Sequence, residues 1–213
     1  DLSIVFDGNI EGNIAMNNTS SPDYQFGGGI TIFSVDFMGN IVDNNTTGNT
    51  GNGISLNGSV ASFTGIISDN TSNNNDKGGI SVFANVFMGN IFDNLTNNNQ
   101  MNGIGISSSV ASFTGNVSEN TSKNNGNGII VYPESFSGDI VDNALSENNS
   151  GGREFYAINS GTGVFNLFLS GNSSRAQILT GDHHRILKHL HNLLLLLHPL
   201  SHLISPLPLR LIK

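Results

Sequence analysis

Residues 87–94 read Phe87-Met88-Gly89-Asn90-Ile91-Phe92-Asp93-Asn94, and the pattern Phe-x-Gly-x-(Ile/Val/Leu)-x-x-Asn recurs along the chain. Its copies begin at Phe6, Phe37, Phe63, Phe87, Phe113, Phe136 and, in worn form, Phe165. From Phe37 to Phe136 the intervals are 26, 24, 26 and 23 residues, a period that belongs to stacked-coil architectures. Within each copy the Phe, Gly and aliphatic residue stand at i, i+2 and i+4, which is strand spacing and not helix spacing. A second landmark alternates with the first: Gly-Ile at Gly29, Gly53, Gly79, Gly103 and Gly128, with Ile32, Leu56, Val82, Ile106 or Val131 two residues after the Ile. Each repeat therefore holds at least two short strands. FMGNI at Phe37 returns at Phe87 and VASFTG at Val60 returns at Val110, both displaced by 50 residues, the mark of a duplicated two-coil unit.

An isolated pair of short strands cannot bury its apolar face. Stacking equivalent units solves this, because each Phe and Ile then meets its counterparts at the ~4.8 Å spacing of neighbouring strands. The expected fold is all-β, a right-handed single-stranded parallel β-helix of about 24–26 residues per coil. Residues 1–174 would form about seven coils, with Phe6, Phe37, Phe63, Phe87, Phe113, Phe136 and Phe165 as a core stack. Gly at the third motif position is read as room for a neighbouring ring. Propeller blades need ~40 residues or more, and a leucine-rich repeat needs a Leu framework that is missing. The Asn seven positions after each Phe is Asn13, Asn44, Asn70, Asn94, Asn120, Asn143 and Asn172. At one corner of successive coils its amide can donate to one neighbour and accept from the other, which predicts a ladder along the axis.

Composition agrees with this reading. The 213 residues include 26 Gly, many Asn and only 11% charged residues, yet Phe and Ile recur in register, unlike a disordered chain. No Cys is present, which excludes disulfides, zinc-thiolate sites and thiol nucleophiles. The formal charge is −8, and the acids concentrate before residue 175, where Lys77, Lys123 and Arg153 are the only Lys or Arg. An acidic body argues against nucleic acid as a partner, since phosphate binding needs clustered Lys and Arg.

FDGN at Phe6, FMGN at Phe37 and Phe87, and FTGN at Phe113, together with Gly-Gly-Ile at Gly28 and Gly78, resemble the paired FxxN and GGA(I/L/V) repeats of chlamydial polymorphic membrane proteins. Those proteins and similar bacterial autotransporter passengers form the class concerned. Phe63 begins FTGI, Phe136 begins FSGD, and the Ala of GGAI is absent. The resemblance implies a secreted or outer-membrane, cell-surface β-helix acting as stalk or adhesin, with a host or cell-surface protein or glycan as partner. It implies membrane attachment only through further domains or the C-terminal tail. The repeat itself predicts a monomer.

The main rival is a fragment of a carbohydrate-active β-helix, a polysaccharide lyase or glycosidase. No His stands before residue 175, and Arg153 lies outside the regular motif. Paired carboxylates suffice for glycoside hydrolysis, but no acid breaks the repeat as a dedicated catalyst would. No catalytic residue and no cofactor are assigned, and the expectation is a non-enzymatic protein. The acids that do recur, Asp43, Asp69, Asp93, Glu119 and Asp142, each precede a ladder Asn. They predict a carboxylate column, read either as a solvated edge or as a Ca²⁺ stripe, since oxygen ligands suit Ca²⁺.

From Arg175 the composition changes. All six His residues lie beyond it, and residues 183–198 carry apolar positions at helical spacing before Pro199. The segment 175–213 is read as a helical or irregular tail, either an amphipathic helix that caps the coils or touches a membrane, or out-of-frame sequence. Metal binding at His184 and His189 is a third reading.

Overall fold

A computed structural model describes residues 5–19, 28–33, 36–148, 155–159, 165–170 and 176–180. The strands stack in parallel as a β-solenoid of about five turns, with three sheets as its faces. No described residue is helical. The first face carries the Phe motif: Asp36–Met38 with Ile41–Val42, then Ser62–Ser68, Val86–Phe92, Ser112–Thr114 with Val117–Ser118, and Phe136–Val141. The second face is a series of three-residue strands, Asn45–Thr47, Thr71–Asn73, Leu95–Asn97, Thr121–Lys123 and Ala144–Ser146. The third holds the Gly-Ile segments in Ile54–Leu56, Ile80–Val82, Asn102–Ile106 and Asn127–Val131.

Register is set by like meeting like. Phe6 pairs with Phe37, Phe37 with Phe63, Phe63 with Phe87, Phe87 with Phe113 and Phe113 with Phe136. Their rings stack with centroids 4.6–5.3 Å apart and planes within 16° of parallel. Phe37 through Phe136 are buried, as are Ile41, Ile67, Ile91, Val117 and Ile140 beside them and Ile54, Ile80, Ile104 and Ile129 opposite. Each fully buried side chain of this size contributes roughly 1.5–3 kcal/mol. The backbone of the seventh copy, Phe165–Ser170, continues the register, Phe165 opposite Phe136. Asn172 and Arg153 lie outside the described residues.

The motif Gly serves the backbone and not a ring. At Gly89 φ is +154°, and an added Cβ would collide with the carbonyl oxygen of Gly65 in the preceding coil. Gly39, Gly65, Gly115 and Gly138 repeat both features. The Asn that follows compensates for the distorted backbone in four of the coils: the Oδ1 of Asn9, Asn40, Asn90 and Asn116 accepts the N–H of Asn40, Ile66, Asn116 and Asp139 one coil later, at 2.8–3.0 Å. Where Ile66 replaces that Asn, Ser62–Ser68 pairs with Val86–Phe92 along all seven residues.

The described strands also pass the compositional break at Arg175. Ala176–Thr180 is a strand at the edge of the third sheet, so the solenoid's strands extend past the 175 boundary. Residues 181–213, including the expected helix at 183–198, His184 and His189, lie outside the described residues.

Candidate functional site

Two corners flank the second face, and both use one local device: a residue in the left-handed region followed by a buried Asn. At the first corner the left-handed residues are Asp43, Asp69, Asp93, Glu119 and Asp142, with φ of 54–56°. The buried residues after them are Asn44, Asn70, Asn94, Asn120 and Asn143. Each Nδ2 donates to the Oδ1 of the next coil's Asn at 2.9–3.0 Å, from Asn13 through Asn44, Asn70, Asn94 and Asn120 to Asn143. The same Oδ1 also accepts the backbone N–H of the preceding coil's Asn.

The second corner holds a ladder that the Phe-to-Asn spacing alone does not reveal. Asn18, Asn49, Asn75, Asn99, Asn125 and Asn148, five residues after each first-ladder Asn, link Nδ2 to Oδ1 at 2.9–3.2 Å. The signal was present as Asn-x-x-x-x-Asn in the six coils from Asn13 to Asn143, masked by the many other Asn residues. Between the ladders Thr46, Ser72, Thr96 and Ser122 point inward and are buried. Thr46 Oγ1 donates to Ser72 Oγ at 2.9 Å, and Ser72 Oγ to the Gly79 carbonyl at 2.8 Å. The two faces approach so closely here that a Cβ on Gly53 would strike Ser72 Oγ, which explains the Gly of the Gly-Ile landmark.

The predicted acidic column exists as a row. Asp43, Asp69, Asp93, Glu119 and Asp142 occupy one corner of successive coils and are exposed. The backbone accounts for their position but not their charge. Asp tolerates left-handed φ, but so does Asn, and at the equivalent place on the second corner stand Asn17, Gly48, Asn74, Asn98 and Asn124, with an acid only at Glu147. Among the described residues no three His, Asp or Glu side chains converge as a metal-binding group.

An open groove of about 430 Å³ runs along the second corner, lined by Asn98, Asn99, Gln100, Asn124, Asn125, Gly126 and Glu147. Its floor is ladder amide already engaged along the axis. At its rim Gln100 Nε2 donates to Asp76 Oδ1 at 2.8 Å, and Lys123 Nζ lies 3.3 Å from Glu147 in an exposed ion pair. Such pairs add little stability. No described helix is long and apolar enough to cross a membrane.

Fold and corners together define a class: a repeat protein of parallel β-solenoid type, stapled by two internal Asn ladders. Comparison with known protein families, with curated proteins and with solved structures finds no match to this chain.

Proposed function

We propose that this chain is a non-enzymatic β-solenoid displayed at a cell surface or secreted, serving as a stalk or adhesin passenger. The observation that carries this reading is the periodicity of its polar chemistry. Buried amides and hydroxyls are committed to ladders that hold the rod, and outward side chains form rows that repeat from coil to coil. Rows suit a surface that meets an extended or repeating partner, such as a cell-surface protein or glycan. The FxxN and Gly-Gly-Ile resemblance to autotransporter passengers points the same way.

The test pairs binding with turnover. Purified protein is screened on glycan arrays and intact cells, and the same preparation is incubated with neutral and acidic polysaccharides in a reducing-sugar assay. Saturable binding without sugar release is the expected adhesin result, and absence of both favours the stalk. Release of reducing ends from any polysaccharide overturns the proposal.

A further inference from the structure

We propose that Asn57 is a site of spontaneous deamidation, set apart by the fold from the other Asn-Gly pairs. The chain contains five such pairs, at Asn52, Asn57, Asn102, Asn125 and Asn127. The reaction needs a backbone nitrogen free to attack and a side-chain amide free to be attacked. The Gly58 nitrogen bonds to Asn57 Cγ, the Cγ–Nδ2 bond breaks, and Nδ2 leaves as ammonia with the Gly58 proton. Water then opens the cyclic imide at either carbonyl, giving aspartate or isoaspartate without oxidation or reduction.

Only one pair satisfies both requirements. Asn57 opens an exposed turn closed by Val60 N–H donating to the Asn57 carbonyl at 2.9 Å, and Gly58 and Ser59 are exposed. Gly58 N–H makes no hydrogen bond, and the Asn57 carboxamide is held only by its Oδ1 accepting Ser59 N–H at 3.3 Å. That bond turns the carboxamide back over the Gly58 peptide. Elsewhere the nitrogen is occupied or buried. Gly53 N–H donates to the Gly78 carbonyl at 2.9 Å and Gly126 N–H to the Asn99 carbonyl at 3.1 Å. Gly103 and Gly128 are buried within strands Asn102–Ile106 and Asn127–Val131. The amides are engaged too: Asn52 Oδ1 accepts Gly78 N–H, Asn102 Oδ1 accepts Asn127 Nδ2, and Asn125 belongs to the second ladder.

The duplicated unit contains its own control. Ser107–Val110 makes the same turn 50 residues later, with Ser107 in place of Asn57 and Val110 N–H donating to the Ser107 carbonyl at 3.1 Å. This turn has no amide to lose. Conversion at Asn57 adds a negative charge at the corner leading from the third face to the first.

Incubation of the folded protein in mildly alkaline buffer, followed by peptide mapping with mass spectrometry, tests the proposal. Asn57 is expected to convert at least about tenfold faster than the other four, since each of those must wait for a hydrogen-bonded rung to open. In concentrated urea the five rates should converge. Gly58→Ala, which fits because an added Cβ would meet nothing closer than the Phe83 carbonyl oxygen at 4.0 Å and the φ is not left-handed, should slow the reaction at Asn57 and leave the fold unchanged. A native ranking that matches the urea ranking, or that places another pair ahead of Asn57, overturns the proposal.

Discussion

At Asn94 one side chain serves three coils. Its Nδ2 lies within bonding distance of Asn120 Oδ1, the Ile67 carbonyl and the Phe92 carbonyl, at 2.8–3.0 Å, while its Oδ1 accepts Asn70 Nδ2 at 2.9 Å. Asp has nearly the same shape but keeps only the accepting half of this arrangement. In Asn94→Asp an ionised oxygen would face three acceptors, so the variant should lose about 3–5 kcal/mol at neutral pH, as when a buried polar network is broken on one side. Those acceptors favour the protonated acid, which can donate one O–H, so the folded-state pKa of the new carboxyl lies above the unfolded value of about 3.9. A raised folded pKa means that the native state holds the extra proton. The variant is therefore least impaired below the unfolded pKa and loses stability as pH rises through the folded one. Urea midpoints of variant and wild type should diverge with rising pH, and parallel curves would refute the ladder as the source of the loss.

At the scale of the element, the corners divide what sequence can show from what needs coordinates. Phe87, Ile91 and Asn94 are legible because strand alternation and a fixed period leave each of them one role. The second ladder was hidden because Asn99 sits among Asn97, Asn98 and Gln100, where composition drowns spacing. The role of Gly89 depends on its φ and on a carbonyl one coil away, and neither has a local sequence signal. The acids were visible as a row, while their left-handed backbone was not. Since Asn holds that conformation at the second corner, Asp69→Asn with Asp93→Asn should keep the fold and remove repulsion between neighbouring rungs. The double variant should melt higher than wild type at low ionic strength, with the gap closing as salt screens the column. Ca²⁺ needs six to eight oxygens, and among the described residues no three Asp, Glu or His side chains converge to supply them. Millimolar Ca²⁺ should accordingly raise the melting temperature no further than sodium at matched ionic strength. A calcium-specific rise that the double variant abolishes would establish the column as a cation site.

At the scale of the whole molecule, stability should be close to a sum over coils and their interfaces, because each coil touches only its neighbours. The 50-residue duplication offers a clean cut. Deleting 60–109 joins Ser59 to Val110, so that Phe113 stacks on Phe37, Val117 on Ile41, and Asn120 takes the place of Asn70 as acceptor for Asn44. Every inward position meets a partner of its own kind, and the shortened rod should keep its β-sheet circular dichroism. Its urea m-value should fall with the surface lost from the unfolding transition. Deleting 64–112 instead joins Phe63 to Phe113 and leaves one extra residue inside a first-face strand. From there every side chain would point to the opposite side, turning Phe113 outward, placing Asn116 where Ile67 is buried and forcing the Thr114 Cβ into the close approach reserved for Gly65. The first deletion should unfold in one cooperative transition and the second should not fold. If both fold with equal midpoints, register along the first face is not what holds the coils together.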